Sequence, residues 1–236
     1  LPNRNDKHII SQSTVTRLFE QIFASGWTCP EITVVWHAGE PLVAPAAFYR
    51  EAFTTIERLR PSGVRVKHSF QTNGTLIDAT WCALFNEWDV GVGVSLDGPR
   101  ELHDLHRRTR NGKGTFDRTI AGVGCLRAHA VPFHVISVLS ASSLDRPEDL
   151  LAFYLSEGID QICFNVEESE GDHVSSLFHG PALRQRYAAF LRAFWHLARQ
   201  SGPVRFVREI DLALPRVFRP DDAPTRFAVN LIVYAL

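Results

Sequence analysis

The sequence predicts an α/β protein built on a parallel sheet, either a partial barrel or a doubly wound layer. Three observations carry this. Short β-branched or apolar runs alternate with longer segments whose apolar residues recur every three to four positions. Glycine and proline punctuate the junctions. Each step from strand to strand holds a helical segment, the connection that parallel strands need.

In chain order, Ser13 to Ala24 places Val15, Leu18, Phe19, Ile22 and Phe23 on one helical face, and Gly26 ends it. Ile32–Trp36 reads as a buried strand. Ala46–Leu59 reads as a helix that turns Phe48, Ala52, Phe53, Ile56 and Leu59 inward, broken by Pro61-Ser62-Gly63. Val64–Phe70 alternates like a strand. A helix from Asp78 carries Trp81, Leu84, Phe85 and Trp88, with Thr75 or Asp78 available as its cap. Strand Val90–Leu96 leads into a long polar loop over Arg100–Gly114. Helix Phe116–His129, strand Phe133–Leu139, helix Pro147–Glu157, strand Gln161–Val166 and helix Pro181–Gln200 follow, with Val204–Ile210 as one more strand. No internal repeat, low-complexity tract or linker interrupts the series.

The 236 residues are 45% hydrophobic, enough for one sizeable core. A net charge of −1 gives no basic patch, so nucleic acid is not an expected partner. No apolar run approaches the ~18 residues of a membrane span, and nothing resembling a signal peptide precedes the first helix, so a cytoplasmic location is expected. The chain has no methionine and opens at Leu1-Pro2, and it is expected to be a fragment. Cys29, Cys82, Cys125 and Cys163 are scattered, and no metal-ligand spacing is read from them. Four buried, reduced thiols are expected.

Polar residues collect where strands end, which is where α/β proteins bind ligands. In Glu31-Ile-Thr-Val-Val-Trp-His-Ala-Gly-Glu-Pro-Leu42, small Ala38 and Gly39 let a ligand approach the backbone, and Pro41 holds Glu40 extended. A carboxylate fixed there suits an ammonium group. Gln71-Thr72-Asn73-Gly74 reads as a turn or as a polar contact to the same ligand. Ser95-Leu96-Asp97-Gly98-Pro99 is similar, and a buried Ser95 hydroxyl needs a partner. His103 and His106 read as part of a solvated basic loop, whereas Arg107 can clamp a carboxylate through two bonds. Asn165 and Glu167 end a later strand.

Taken together, Ala38-Gly39-Glu40-Pro41, Gln71-Thr72-Asn73-Gly74, Ser95-Leu96-Asp97-Gly98-Pro99 and His103-Asp104 with Arg107 resemble radical S-adenosylmethionine enzymes with a SPASM-type extension, among them anaerobic sulfatase-maturating enzymes and peptide maturases. Trp36 to Leu42, His68 to Asn73 and Phe164 to Glu168 resemble in particular the maturases that form cyclophanes in glycine-rich-repeat peptides. The resemblance runs from Leu1 to about Asp211. It implies a partial (β/α)6 TIM-like barrel over 1–211, lacking its first strand and cluster loop, and a tail over 212–236 where a SPASM region would begin.

The resemblance also implies S-adenosylmethionine as cofactor and a [4Fe–4S] cluster whose CxxxCxxC ligands lie outside this chain. A flavodoxin- or ferredoxin-like electron donor and a ribosomally made precursor peptide are the implied partners. Ala38, Gly39 and Glu40 are implied to hold the methionyl ammonium, Ser95 and Arg107 the ribose and carboxylate, and strand Phe133–Leu139 to flank the adenine. The implied reaction is hydrogen abstraction from the peptide by a 5′-deoxyadenosyl radical, followed by cross-linking, with this chain inactive without the cluster loop. Two other readings stay open. One is a non-catalytic barrel that binds a peptide or nucleotide. The other is a metal-dependent hydrolase using His37, His68, His103 and Asp97, which lack compact ligand spacing. Without its first strand, the strand ending at Trp36 is expected to present a bare edge, and the isolated chain to be poorly stable.

Overall fold

The computed structural model describes residues 9–26, 29–37, 39–167, 181–212 and 231–233. The chain forms two compact units, one of Leu1–Gly93 with Ala121–Pro132 and Arg226–Leu236, the other of Val94–Ile120 with Phe133–Thr225.

The first unit opens with α1 (Gln12–Ala24), capped by the Ser11 hydroxyl, which accepts from the Thr14 amide at 3.1 Å. Strand β1 (Glu31–Trp36) runs into a single 3₁₀ turn at Pro41–Val43, then α2 (Ala46–Leu59). Strand β2 (Arg65–Thr72) lies parallel to β1, with Val34 opposite His68 and Trp36 opposite Phe70. It runs two residues further than its sequence pattern suggests. Asp78 caps α3 (Ala79–Glu87) through the Trp81 amide. Aromatic rings fill the core: Tyr49 meets Phe70 edge-on at 4.8 Å, and His68 stacks on Phe53 at 3.8 Å.

Strand β3 (Gly91–Ser95) carries the chain from the first unit into the second. There, the segment expected to be a polar loop forms α4 (Arg100–His106). Pro99 presets the helical entry, and its carbonyl accepts from the Leu102 and His103 amides at 2.9 Å. The helix buries Leu102 and His103, too narrow an apolar face to show as a period. His103 is therefore a core histidine, not part of a solvated basic loop.

Helix α5 (Phe116–Ala128), strand β4 (Phe133–Leu139), helix α6 (Pro147–Ser156), strand β5 (Gln161–Val166) and helix α7 (Pro181–Ser201) follow in the expected order. Strand β5 pairs in parallel with β4 and with the two-residue β6 (Phe206–Val207). The strand expected over Val204–Ile210 stops there, because the Asp211 carboxylate accepts from the Val207 amide at 2.7 Å and turns the chain into α8 (Arg208–Asp211). Phe164, Phe190 and Phe194 form the centre of this core, with Tyr154 and Leu150.

Two further expectations are overturned. The edge of β1 is not bare: β7 (Leu231–Val233) lies parallel to it, Val34 opposite Leu231 and Trp36 opposite Val233. The four thiols are not all core residues, since Cys82 and Cys163 are buried while Cys29 is exposed and Cys125 half-buried.

Candidate functional site

In the first unit the site is built around Glu40. Gly39 takes a left-handed turn (φ 60°), which glycine accepts without strain, and a side chain added there would meet open space. Glu40 follows in extended conformation and its carboxylate caps the 3₁₀ turn, accepting from the Leu42 amide at 3.1 Å. The same oxygen accepts from the Thr72 hydroxyl at 2.6 Å, and the other oxygen from the Asn73 amide at 2.8 Å. Both oxygens are thus aimed and held from the ends of β1 and β2. Burial raises the Glu40 carboxyl above the usual range, outweighing the Thr72, Asn73 and Leu42 hydrogen bonds that lower it. Among the described residues no cation pairs with it. A desolvated, aligned carboxylate without a positive partner is a receptor for an ammonium group.

Thr72 and Asn73 join this group, but Gln71 does not. Side chains alternate along β2, so Thr72 shares the buried face of His68 and Phe70 while Gln71 takes the opposite one. Asn73 serves through its backbone, and its side-chain oxygen accepts from the Thr75 amide at 2.9 Å. The Pro41 ring starts the turn, and its carbonyl accepts from the Tyr49 hydroxyl at 2.7 Å. Ala38 lies outside the described residues.

In the second unit Asp97 and Arg107 form a bidentate pair at 2.5 and 3.0 Å. Arg107 was expected to clamp a carboxylate, and the carboxylate it holds is an internal one. The Asp97 Oδ1 also accepts from the Val138 amide of β4 at 2.9 Å. Its backbone amide points at the His103 Nδ1 at 3.4 Å, while the His103 Nε2 meets the Thr115 hydroxyl at 3.0 Å. Burial pushes His103 down to about 4, so it is a neutral positioning group. Ser95 is buried at the end of β3, and its hydroxyl makes no hydrogen bond among the described residues.

Asn165 is the penultimate residue of β5, and its side-chain oxygen accepts from the Arg208 guanidinium at 2.6 Å. Arg208 also reaches the Phe164 carbonyl at 3.0 Å, and Glu209 accepts from the Phe164 amide at 2.9 Å. This Arg208–Glu209 pair went unread in the sequence because Val204–Ile210 looked like a strand. Two adjacent charges inside that supposed buried strand were the signal. Glu167 is buried after β5. His37 and His68 form no metal cluster with His103 or Asp97 among the described residues; His68 accepts from the Trp36 indole at 3.2 Å inside the core.

No helix among the described residues is long and apolar enough to cross a membrane. Residues 10–154 match the model of the radical SAM superfamily. A Synechocystis sp. PCC 6803 protein, sll1766, is 38% identical over 225 residues, 94% of this chain and 56% of that protein. A serine-type anaerobic sulfatase-maturating enzyme of Bacteroides thetaiotaomicron is 31% identical over 186 residues, 76% of this chain and 44% of the enzyme. The solved structure described as native anSMEcpe with bound AdoMet and Kp18Cys peptide overlays with a TM-score of 0.77 at 21% identity, covering 89% of this chain and 58% of that one. Streptococcus suis SuiB bound to precursor peptide SuiA overlays at 0.59 and 16% identity, covering 92% and 47%. The fold is therefore that of these proteins, in keeping with the expected partial barrel. The chain spans about half the length of the relatives it matches.

Proposed function

The chain belongs to the radical SAM superfamily, and on that premise we propose that it is the S-adenosylmethionine-binding core of a peptide-modifying enzyme. The observation that carries this is Glu40, a half-buried carboxylate with both oxygens aligned and, among the described residues, no cation of its own. Glu40 takes the methionyl ammonium of the cofactor, and Gly39 leaves room for its approach. Thr72 and Asn73 keep the carboxylate from turning. Ser95 offers its hydroxyl to the ribose. Arg107, oriented by Asp97, presents its remaining N–H groups to the carboxylate of the methionyl part. By the family resemblance, strand β4 (Phe133–Leu139) flanks the adenine. When bound and reduced, S-adenosylmethionine supplies the hydrogen-abstracting chemistry of the superfamily.

The substrate we assign is a ribosomally made precursor peptide, cross-linked after hydrogen abstraction. This rests on the likeness of Trp36–Leu42, His68–Asn73 and Phe164–Glu168 to cyclophane-forming maturases, and on the peptides named with the two structural neighbours. A flavodoxin- or ferredoxin-like protein is the electron donor assigned to the complete enzyme.

The residues present do not fit the [4Fe–4S] cluster. Among the described residues no three cysteines come together. That observation favours a second reading for the chain by itself, a module that binds the cofactor or a peptide without turning over. Anaerobic reconstitution separates the two readings. The chain alone should take up far less than about four irons and leave S-adenosylmethionine intact. Full iron loading with cofactor cleavage would overturn the second reading.

Calorimetric titration of the chain with S-adenosylmethionine tests the site. Replacing Glu40 by Gln should cost on the order of 2–5 kcal/mol of binding free energy, the range for truncating one partner of a buried charge pair. Glu51→Gln, on the exposed face of α2, should change nothing. Equal affinity for Glu40→Gln and the unaltered chain would remove Glu40 from the site.

A further inference from the structure

Outside that site, two helices of the first unit bring three soft ligands together. Cys82 lies on α3 and Cys125 in the last turn of α5, 43 residues apart in sequence, yet their Sγ atoms are 3.7 Å apart. His129 follows α5, four residues after Cys125, and its Nδ1 is 3.7 Å from the Cys125 Sγ. All three ligand atoms lie within 4.8 Å of one another. We propose that Cys82, Cys125 and His129 form a three-ligand site for a tetrahedral thiophilic cation, zinc(II), with water as the fourth ligand.

The spacing suits that ion. With Zn–S near 2.3 Å and Zn–N near 2.0–2.1 Å, the edges of a tetrahedron are about 3.8 Å between sulfurs and about 3.5 Å from sulfur to nitrogen. The two 3.7 Å separations are close to these edges, and the third lies within 4.8 Å, so side-chain rotations can close the site. Burial is graded from Cys82 through half-buried Cys125 to exposed His129. The ligand triangle therefore opens to solvent on one side, giving an entry path and room for the water. The last carbonyls of α5 carry the negative end of the helix dipole, which favours a cation there.

The surroundings hold the ligands in place. Cys82 and Asn86 are four apart on α3 and share a face. The Asn86 amide donates to the His129 carbonyl at 3.0 Å, tying the two ligand-bearing segments together. The His129 Nδ1 sits 2.9 Å from the Cys125 carbonyl. In this arrangement Nδ1 carries the proton and donates to that carbonyl, so binding a cation at Nδ1 takes the Nε2-protonated tautomer and a turn of the exposed ring away from the carbonyl. Ligand binding displaces two protons, one from each thiol.

Cobalt(II) titration of the reduced, metal-free 236-residue chain is the test. About one equivalent should give the intense d–d bands of tetrahedral cobalt and a thiolate charge-transfer band, both bleached by one equivalent of zinc(II). Cys125→Ser and His129→Ala should abolish or strongly weaken the signal, while Cys29→Ser and Cys163→Ser keep it. His129 is exposed, so its alanine variant should melt like the unaltered chain without zinc and lose the upward shift that zinc gives. Absent bands, bands kept in both ligand variants, or a Cys82–Cys125 disulfide formed in air in preference to metal uptake would each overturn the assignment.

Discussion

Glu40 and Asp97 are both carboxylates beyond the end of a strand, yet they are prepared for different tasks. Asp97 already holds Arg107, so its charge is spent on orientation. Glu40 has two aligned oxygens and, among the described residues, no cation. The local geometry at Glu40 was legible in the sequence, because a β-branched run stops at small residues and a proline fixes the turn. The face that Gln71 takes was not, because a motif read as a string hides the alternation along β2. Two buried histidines give a prediction at this scale. Burial pushes His68 down to about 3 and His103 to about 4. The unfolded chain takes up these protons near pH 6.5, while the folded chain does so only at those lower values. Their contribution to stability is therefore complete above about pH 6.5 and is lost as pH falls towards 4 and 3, by about 1.4 kcal/mol per pH unit for each group. Glu40 acts the other way. Its raised carboxyl favours the fold at low pH, and that benefit is lost as pH rises through the raised value. Urea midpoints measured between pH 7 and 5 should fall on acidification, and fall less steeply in His68→Gln.

At the scale of elements, most helices and strands were legible because each repeats its own period over a face that the core covers. Helix α4 was not, since it buries only Leu102 and His103. Helix α8 was not, since a single carboxylate from Asp211 sets its start. A tight approach between α5 and the turn after β2 was also invisible. A side-chain carbon placed on Gly122 would lie 2.1 Å from the Gly74 carbonyl oxygen. Gly122→Ala must push that turn, and with it Asn73, whose amide holds Glu40. Overpacking of this kind costs about 1–3 kcal/mol. A lower melting temperature is expected together with weaker S-adenosylmethionine binding. Gly124→Ala, where a side chain meets open space, is the comparison and should do neither. Calorimetry on the two variants reads both effects.

For the molecule as a whole, the alternation of elements was enough to assign a parallel α/β fold, because local βαβ pairing dominates it. What lay beyond the sequence was every meeting of distant residues: Cys82 with Cys125, Asn165 with Arg208, and β1 with β7. The last of these answers the expectation of a bare edge. Removing Leu231 to Leu236 should expose the unpaired groups of β1, and an open edge invites pairing between chains. Size-exclusion chromatography should then show self-association that the intact chain lacks, and an unchanged monomer would mean that β7 does not protect the edge. The pairing also has an order in time. Strands β1 and β2 can meet as soon as β2 is made, but β7 is synthesised roughly 200 residues after β1, and a loop of that length closes late. During synthesis, β1 therefore waits without this neighbour until Leu231–Val233 are made, and in that interval its outer edge is open to pairing with other chains.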